Sequence, residues 1–326
     1  MRITRKGYYT IQKPDGSPLL KPDGELRQAT TRDDCYEYIS EDGDKGVYVI
    51  TSPDREVELM PTINIPGVSV LPAVASAQNY LFFDDFSSGD LSHSENGLSY
   101  TEWGGDAGKG EVNTVKPFSG AYSGEMIFGP DANGADSSVE LTIKTSTANY
   151  DDIWCQYHFY VPDNYTHRGQ SGSTNNKGFF YSWSGDYGNP DGVSMGTNLW
   201  EIGGGDGSSE ASNYIWGPTL DYHIWDAMSD AIDIADRGTW VVMTIHHKLA
   251  TSANNDGVAE IWRKRSGSAA EKIEDITNGA WYQSSEVGFD SFRILGWANS
   301  GFASETKFYI DNLIIHNEAL DPEGEL

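Results

Sequence analysis

The sequence predicts a mainly β protein, an antiparallel β-sandwich preceded by a small α+β domain. Three observations predict it. From Tyr80 onward nine short segments alternate apolar and polar residues with a period of two, separated by clusters of Gly, Asn, Asp and Ser. The 36 Gly, 18 Tyr and 10 Trp supply many turns and aromatic-bearing strands, a composition too aromatic for a disordered chain. The 326 residues exceed the usual single domain and fit one large β domain with a smaller companion.

The elements follow in order. Residues 1–60 form a compact α+β module that opens with the strand "GYYTI" and turns at "KPDGSP" and "KPDG". "TTRDDCYEYISEDG" has a Thr N-cap, acidic residues in the first turn and a Gly stop, so the pattern predicts a helix over Arg32–Glu41. "KGVYVITSPDREVEL" supplies two further strands around Pro53-Asp54. Residues 61–79 carry three prolines and read as an extended linker. The sandwich occupies residues 80–318, built from "YLFFDDF", "SGEMIFG", "SSVELTIKT", "IWCQYHFYV", "KGFFYSW", "TWVVMTIHHKL", "GVAEIWRKR", "SFRILGW" and "KFYIDNLIIH". "DAMSDAIDIADRG" predicts one helix of a turn or two at its edge, and residues 319–326 form an acidic tail.

Charge excludes some partners. The chain has 22 basic and 49 acidic residues, a net charge of −27. Residues 1–60 hold 9 basic and 12 acidic residues, a net of −3, which leaves −24 for the remainder. Such a chain is repelled by phosphate backbones, so no nucleic-acid partner is expected. No run approaches the roughly 20 apolar residues of a membrane helix, so no membrane partner is expected either. The N-terminus lacks the apolar core of a secretory signal, while "VSVLPAVASAQN" (Val68–Asn79) reads as a processing site or as plain linker. Cys35 and Cys155 both sit at apolar positions and are expected to be buried free thiols.

The strand from Ile153 to Val161 raises the functional question. Its alternation places Ile153, Cys155, Tyr157, Phe159 and Val161 on one face, and Trp154, Gln156, His158 and Tyr160 on the other. The same parity groups Lys177, Phe179, Tyr181 and Trp183 on a second strand, and Trp240, Thr244, His246 and Lys248 on a third. Aromatic rings stack on pyranose faces while amide, imidazole and ammonium groups bond hydroxyls and carboxylates, so Trp154, Gln156, His158, Tyr160, Lys177, Tyr181, Trp183, Trp240 and His246 are the candidate glycan-binding set. The competing reading is that the rings fill a second sheet face beneath a long loop.

Three stretches carry a family resemblance: "FFDDFSSGDLSHSENGLSYTEWGG", the hairpin "DRGTWVVMTIHHKLATSANNDGVAEIWRKR" and the closing "FRILGWANSGFASETKFYIDNLIIHN". Together they resemble the concanavalin A-like lectin/glucanase jelly roll, the fold of LamG-type modules and several polysaccharide lyases. The resemblance implies an antiparallel jelly-roll β-sandwich with a ligand groove along one sheet. It also implies a structural Ca²⁺ held by Asp84, Asp85 and Asp311, or else plain capping roles for those carboxylates. The E-x-D-x-x-E strand of the family's hydrolases is absent, so retaining hydrolysis is not expected. "QYH" (Gln156 to His158) has the Q-x-H spacing of the jelly-roll alginate lyases, in which Gln neutralises a uronate carboxylate, His takes the C5 proton and a Tyr protonates the leaving oxygen. A lyase here would use Gln156, His158, Tyr160 and Lys177, although the family's R-x-E-x-R and Y-x-K-x-G-x-Y-x-Q strands are missing.

The first 50 or so residues resemble small attachment modules heading phage virion proteins. With a short anchor, a proline-containing spacer and a recognition domain, the expected function is a non-catalytic, carbohydrate-binding surface protein of a bacteriophage virion. It would be a capsid decoration or tail fibre component, extracellular on the virion and homo-oligomeric. Its partners would be a polysaccharide or cell-surface glycan, and virion proteins through residues 1–60. The alternatives are a polysaccharide lyase acting on uronate-containing glycans, and a purely structural capsid cement.

Overall fold

A computed structural model divides the chain into two compact units, Met1–Asn79 and Tyr80–Leu326. It describes residues 80–91, 100–105, 109–130, 137–145, 149–165, 174–184, 193–201, 208–217, 220–224, 230–251, 255–281, 288–298, 302 and 304–324 of the second unit, and four short strands of the first. The proposed linker lies outside the described residues.

In the first unit β1 (Tyr9–Thr10) pairs with β2 (Gln28–Ala29), and β3 (Cys35–Ile39) pairs with β4 (Lys45–Val49), both antiparallel. The helix expected over Arg32–Glu41 is therefore corrected over Cys35–Ile39, which is a strand, and the rest of that span lies outside the described residues. The reason is pairing. "CYEYI" alternates as well as it caps, its tyrosines favour extended backbone, and a matching "KGVYV" lies within hairpin reach.

The second unit contains β5 (Phe82–Asp84), β6 (Tyr100–Gly105), β7 (Lys109–Asn113), β8 (Ser123–Phe128), β9 (Ser137–Lys144), β10 (Asp152–Tyr160), β11 (Thr174–Trp183), β12 (Ser194–Glu201), β13 (Ser209–Gly217), β14 (Leu220–Ile224), β15 (Asp230–Ile232), β16 (Trp240–Lys248), β17 (Gly257–Arg265), β18 (Glu271–Gly279), β19 (Ser291–Ile294), β20 (Trp297–Ala298) and β21 (Thr306–His316). All nine expected strands are present. Of the expected edge helix, residues 226–229 lie outside the described residues, Asp230–Ile232 is a strand, and Ile234–Asp236 forms a single 3₁₀ turn closed by a capping box in which Asp233 and Asp236 bond each other's backbone.

These strands form two sheets. The eight-stranded sheet runs β18-β17-β16-β10-β21-β8-β7, with β5 also paired to β21. The nine-stranded sheet runs β14-β13-β12-β11-β19-β9-β20, with β15 on β13 and β6 on β9. Every pairing within them is antiparallel, giving the β-sandwich of the jelly-roll class.

The core lies between the sheets. From β10 it takes Ile153, Cys155, Tyr157 and Phe159, the face expected from alternation. Phe159 stacks on Phe308 at 5.3 Å and meets Phe179 edge-on at 4.9 Å, tying both sheets together. Cys155 is a buried free thiol, and burial raises its pKa well above the ordinary value.

Candidate functional site

The three strands expected to share one groove do not share a sheet. β10 and β16 are neighbours in the eight-stranded sheet, whereas β11 belongs to the nine-stranded one. Trp154, Gln156, His158, Tyr160, Trp240 and His246 therefore face away from the core on one side of the sandwich. Tyr181 and Trp183 face away on the other. Lys177 stands in β11 opposite Trp297 of β20. The strand is irregular between Asn175 and Phe180, which turns Phe179 as well as Phe180 into the core and breaks the expected parity.

On the eight-stranded sheet several of the rings pack on other side chains. Trp154 stacks on His246 at 4.0 Å and on Trp262 at 5.5 Å, and Lys272 lies over the Trp262 ring at 4.8 Å. His246 is clamped by Asp152 at 2.8 Å and Glu260 at 2.9 Å. Burial works to lower its pKa, but the two carboxylates outweigh that and raise it. Burial likewise pushes Glu260 up, while His246 and Lys272 more than reverse this and hold it down at about 2.

The candidate lyase residues of β10 are engaged in the same way. His158 is covered by Phe118, stacked at 3.9 Å. Gln156 donates its amide to Thr244 Oγ1 at 2.9 Å and to the carbonyl of Asp321 at 2.7 Å. The Tyr160 hydroxyl accepts from Lys116 Nζ at 2.8 Å, and Trp240 meets the Tyr160 ring at 5.5 Å. Gln156, His158 and Tyr160 thus spend their polar atoms or ring faces on protein partners, and Lys177 stands on a strand of the other sheet. Phe118 and the segment at Asp321 cover His158 and Gln156 on this side, while Trp154 and Trp240 stay half-buried.

Calcium fits poorly. Asp84 is buried on the inward face and bonds the Phe86 amide at 2.6 Å, and Asp85 bonds the Ser87 amide at 2.9 Å. Asp311 accepts from the amides of Phe118, Ser119 and Asn312 at 2.8–3.0 Å. A cation at Asp311 would meet three N–H groups, the wrong polarity for a metal site. Among the described residues no three His, Cys, Asp or Glu side chains converge as metal ligands. Asp311 instead fastens the segment before β8 to β21. Burial raises its pKa to about 6 against the opposing pull of those amides.

The nine-stranded sheet offers a different arrangement. Its pairings line up Thr142 of β9, Arg293 of β19, Tyr181 of β11, Gly196 of β12 and Tyr214 of β13 in one transverse row, and β14 places His223 at the next register position. A second row sets Ser291, Trp183, Ser194 and Trp216 alongside. Neighbouring strands lie about 4.8 Å apart, so Arg293 to Tyr214 covers roughly 14 Å, the length of two to three pyranose rings.

Local contacts fix this row. Arg293 reaches Glu140 at 3.1 Å and lies over the Trp183 ring at 5.0 Å. The Tyr181 ring lies flat over Gly196, where a β-carbon would overlap it, and its hydroxyl donates to Asn198 at 3.0 Å. Tyr181 and Trp183 form a floor only 2 % exposed, while Arg293, Tyr214 and Trp216 remain half-buried and reach the surface. A guanidinium and two phenols in one row, with the Asn198 carboxamide beside it, can neutralise a carboxylate and hold or move a proton at a sugar carbon.

The sequence named Tyr181 and Trp183 but missed Arg293, Glu140, Asn198 and Tyr214. Alternation in "SFRI" and "SSVELTIK" could have exposed Arg293 and Glu140. β12 and β13 gave little signal, for a reason that lies in their inward residues.

No protein-family model matches the chain, and no curated protein does. Solved structures do. An endo-β-1,4-glucuronan lyase from the fungus Trichoderma reesei is 15 % identical, covers 76 % of this chain and 100 % of its own, and has a TM-score of 0.52. The marine PL-14 alginate lyase from Aplysia kurodai is 13 % identical over 66 % of this chain and 89 % of its own, TM-score 0.48. Alginate lyase vAL-1 from Chlorella virus is 14 % identical over 67 % and 92 %, TM-score 0.46. The glucuronan lyase likeness shows a shared fold. A shared fold leaves the chemistry to the site.

Proposed function

We propose that the sandwich binds an acidic polysaccharide across the row Arg293–Tyr181–Gly196–Tyr214 and cleaves it by β-elimination, as a polysaccharide lyase. One observation carries this reading: a cation and two phenols stand in register on neighbouring strands, on the side of the sheet away from the core. β-Elimination at a uronate needs the C5 carboxylate neutralised, a base for the C5 proton and an acid for the departing C4 oxygen. Arg293 is suited to the first task, and Tyr181 and Tyr214 to the other two. The lyase fold of the glucuronan lyase supports the same substrate class.

A second reading, glycan binding without cleavage, is favoured by Glu140, which already pairs with Arg293 at 3.1 Å. The virion setting expected from the N-terminal residues forms no part of either reading.

Purified protein incubated with polyglucuronate, alginate and a neutral β-glucan separates them. Ultraviolet absorbance from unsaturated ends, lost in Tyr181→Phe and Arg293→Ala, supports the lyase. Retention on a polysaccharide gel without that absorbance supports binding alone. Neither retention nor absorbance with any of the three removes both.

A further inference from the structure

Directly beneath the row, the core contains four polar residues where alternation would place apolar ones. His247 of β16 projects inward after Val241, Met243 and Ile245, and is fully buried. Its Nδ1 lies 2.9 Å from Ser182 Oγ of β11, and its Nε2 lies 3.3 Å from Thr197 Oγ1 of β12. Thr197 in turn donates its hydroxyl proton to Asn213 Oδ1 of β13, at 3.1 Å.

The direction of this chain follows from the orientation of the Asn213 amide. With Asn213 Oδ1 turned toward Thr197, as it stands here, the single hydroxyl proton of Thr197 goes to Asn213 and Thr197 accepts from His247. His247 therefore carries its proton on Nε2, and its bare Nδ1 accepts from Ser182. The result is Ser182 → His247 → Thr197 → Asn213, an ordered relay from a histidine of one sheet through three strands of the other. Burial, reinforced by the neighbouring His246, holds the imidazole neutral with a pKa of about 3.

The relay sits under the site. Ser182 lies between Tyr181 and Trp183, Thr197 between Gly196 and Asn198, and Asn213 directly before Tyr214. We infer that His247 is a positioning residue of this site, holding β11, β12 and β13 in the register that aligns Tyr181, Gly196 and Tyr214.

Apolar residues would fill the same space without desolvating polar groups. The network persists although Asn213 Nδ2 is buried with no hydrogen-bond partner among the described residues. A core that keeps polar groups despite an unsatisfied donor gains a unique register, which strands as polar as β12 and β13 would otherwise specify weakly.

The inference rests on the binding reading above, and its test is separable from it. Thr197→Val keeps the volume but removes the acceptor for His247 and the donor for Asn213; Thr306→Val, a buried threonine of β21 that bonds the Ser304 carbonyl, is the matched control. Nitrogen-15 NMR of wild-type His247 should show a protonated Nε2 and a bare Nδ1. In Thr197→Val, amide exchange at Tyr181, Gly196 and Tyr214 should rise by about tenfold over that at Phe159 and Ile310, and polysaccharide retention should weaken about tenfold. Thr306→Val should do neither. If Thr197→Val does not fold, Ser182→Ala carries the same comparison.

A proton on Nδ1, or exchange at the row no faster in Thr197→Val than in Thr306→Val, overturns the inference. So does unchanged retention in a Thr197→Val protein whose wild type binds. A wild type that retains no polysaccharide sinks the binding reading instead, and the tautomer and exchange results then decide the relay.

Discussion

The phenol ring of Tyr181 lies across Gly196 on the adjacent strand, in space that any β-carbon at position 196 would occupy. Glycine is required here by close approach, since φ at Gly196 is not in the left-handed region. The recess lets the ring lie flat and brings its hydroxyl to Asn198.

Gly196→Ala should therefore expel the Tyr181 ring. Overpacking of this kind costs about 1–3 kcal/mol. A lowered denaturation midpoint combined with lost polysaccharide retention is expected. Full retention in a folded Gly196→Ala protein would remove Tyr181 from the site.

Arg293→Ala should destabilise the domain by about 3 kcal/mol, because Glu140, almost wholly buried, loses its guanidinium. Pairing that change with Glu140→Gln should recover part of the stability but none of the polysaccharide retention. Urea denaturation of the single and double variants checks the first point, and a polysaccharide affinity gel checks the second.

Glu260 gives the eight-stranded sheet an acid-sensitive element. Its folded pKa of about 2 lies below its ordinary value of 4.5, so its stabilisation is complete above 4.5 and disappears as pH falls toward 2. His246 has the opposite sign. Its raised pKa gives stability that is complete below 6.5 and is lost as pH rises through the folded value. Glu260→Gln should flatten the acid limb of stability against pH relative to wild type. An unchanged slope between pH 2 and 4.5 would contradict the assignment.

The last described residues strap the outer face of the eight-stranded sheet. Leu320 is buried, the carbonyl of Asp321 takes the Gln156 amide, and Lys264 Nζ donates to the carbonyls of Glu323 and Gly324 at 2.6 and 3.0 Å. Deleting Leu320 onward should cost about 2 kcal/mol, from one buried leucine and several hydrogen bonds. Retention should be unaffected, because these contacts lie on the other side of the sandwich from Tyr181. A thermal melt and the same affinity gel test both halves.

Much of the fold was legible in the sequence. Strands β10, β16, β17 and β21 announce themselves because inward Ile, Val, Phe and Met alternate with polar residues. β12 and β13 do not, since their inward positions include Thr197 and Asn213, members of the polar relay. The same residues that align the site hide its strands from a hydrophobicity pattern. "TTRDDCYEYI" satisfies helix-capping rules and strand alternation together, and only its partner "KGVYV" decides between them.

Alternation by itself determined which side chains would enter the core wherever a strand ran regularly, and for β10 it did so at every position, whereas the irregular β11 also turned Phe179 inward. Alternation is a property of one strand, and carries no information about which sheet the strand joins. That choice depends on pairings between residues far apart, such as Arg293 with Thr142 and Tyr181 with Arg293. Tertiary structure thus separated Trp154 from Trp183 and set Arg293 beside Tyr181. Hydrogen bonding between distant strands decides neighbours, and neighbours decide a site.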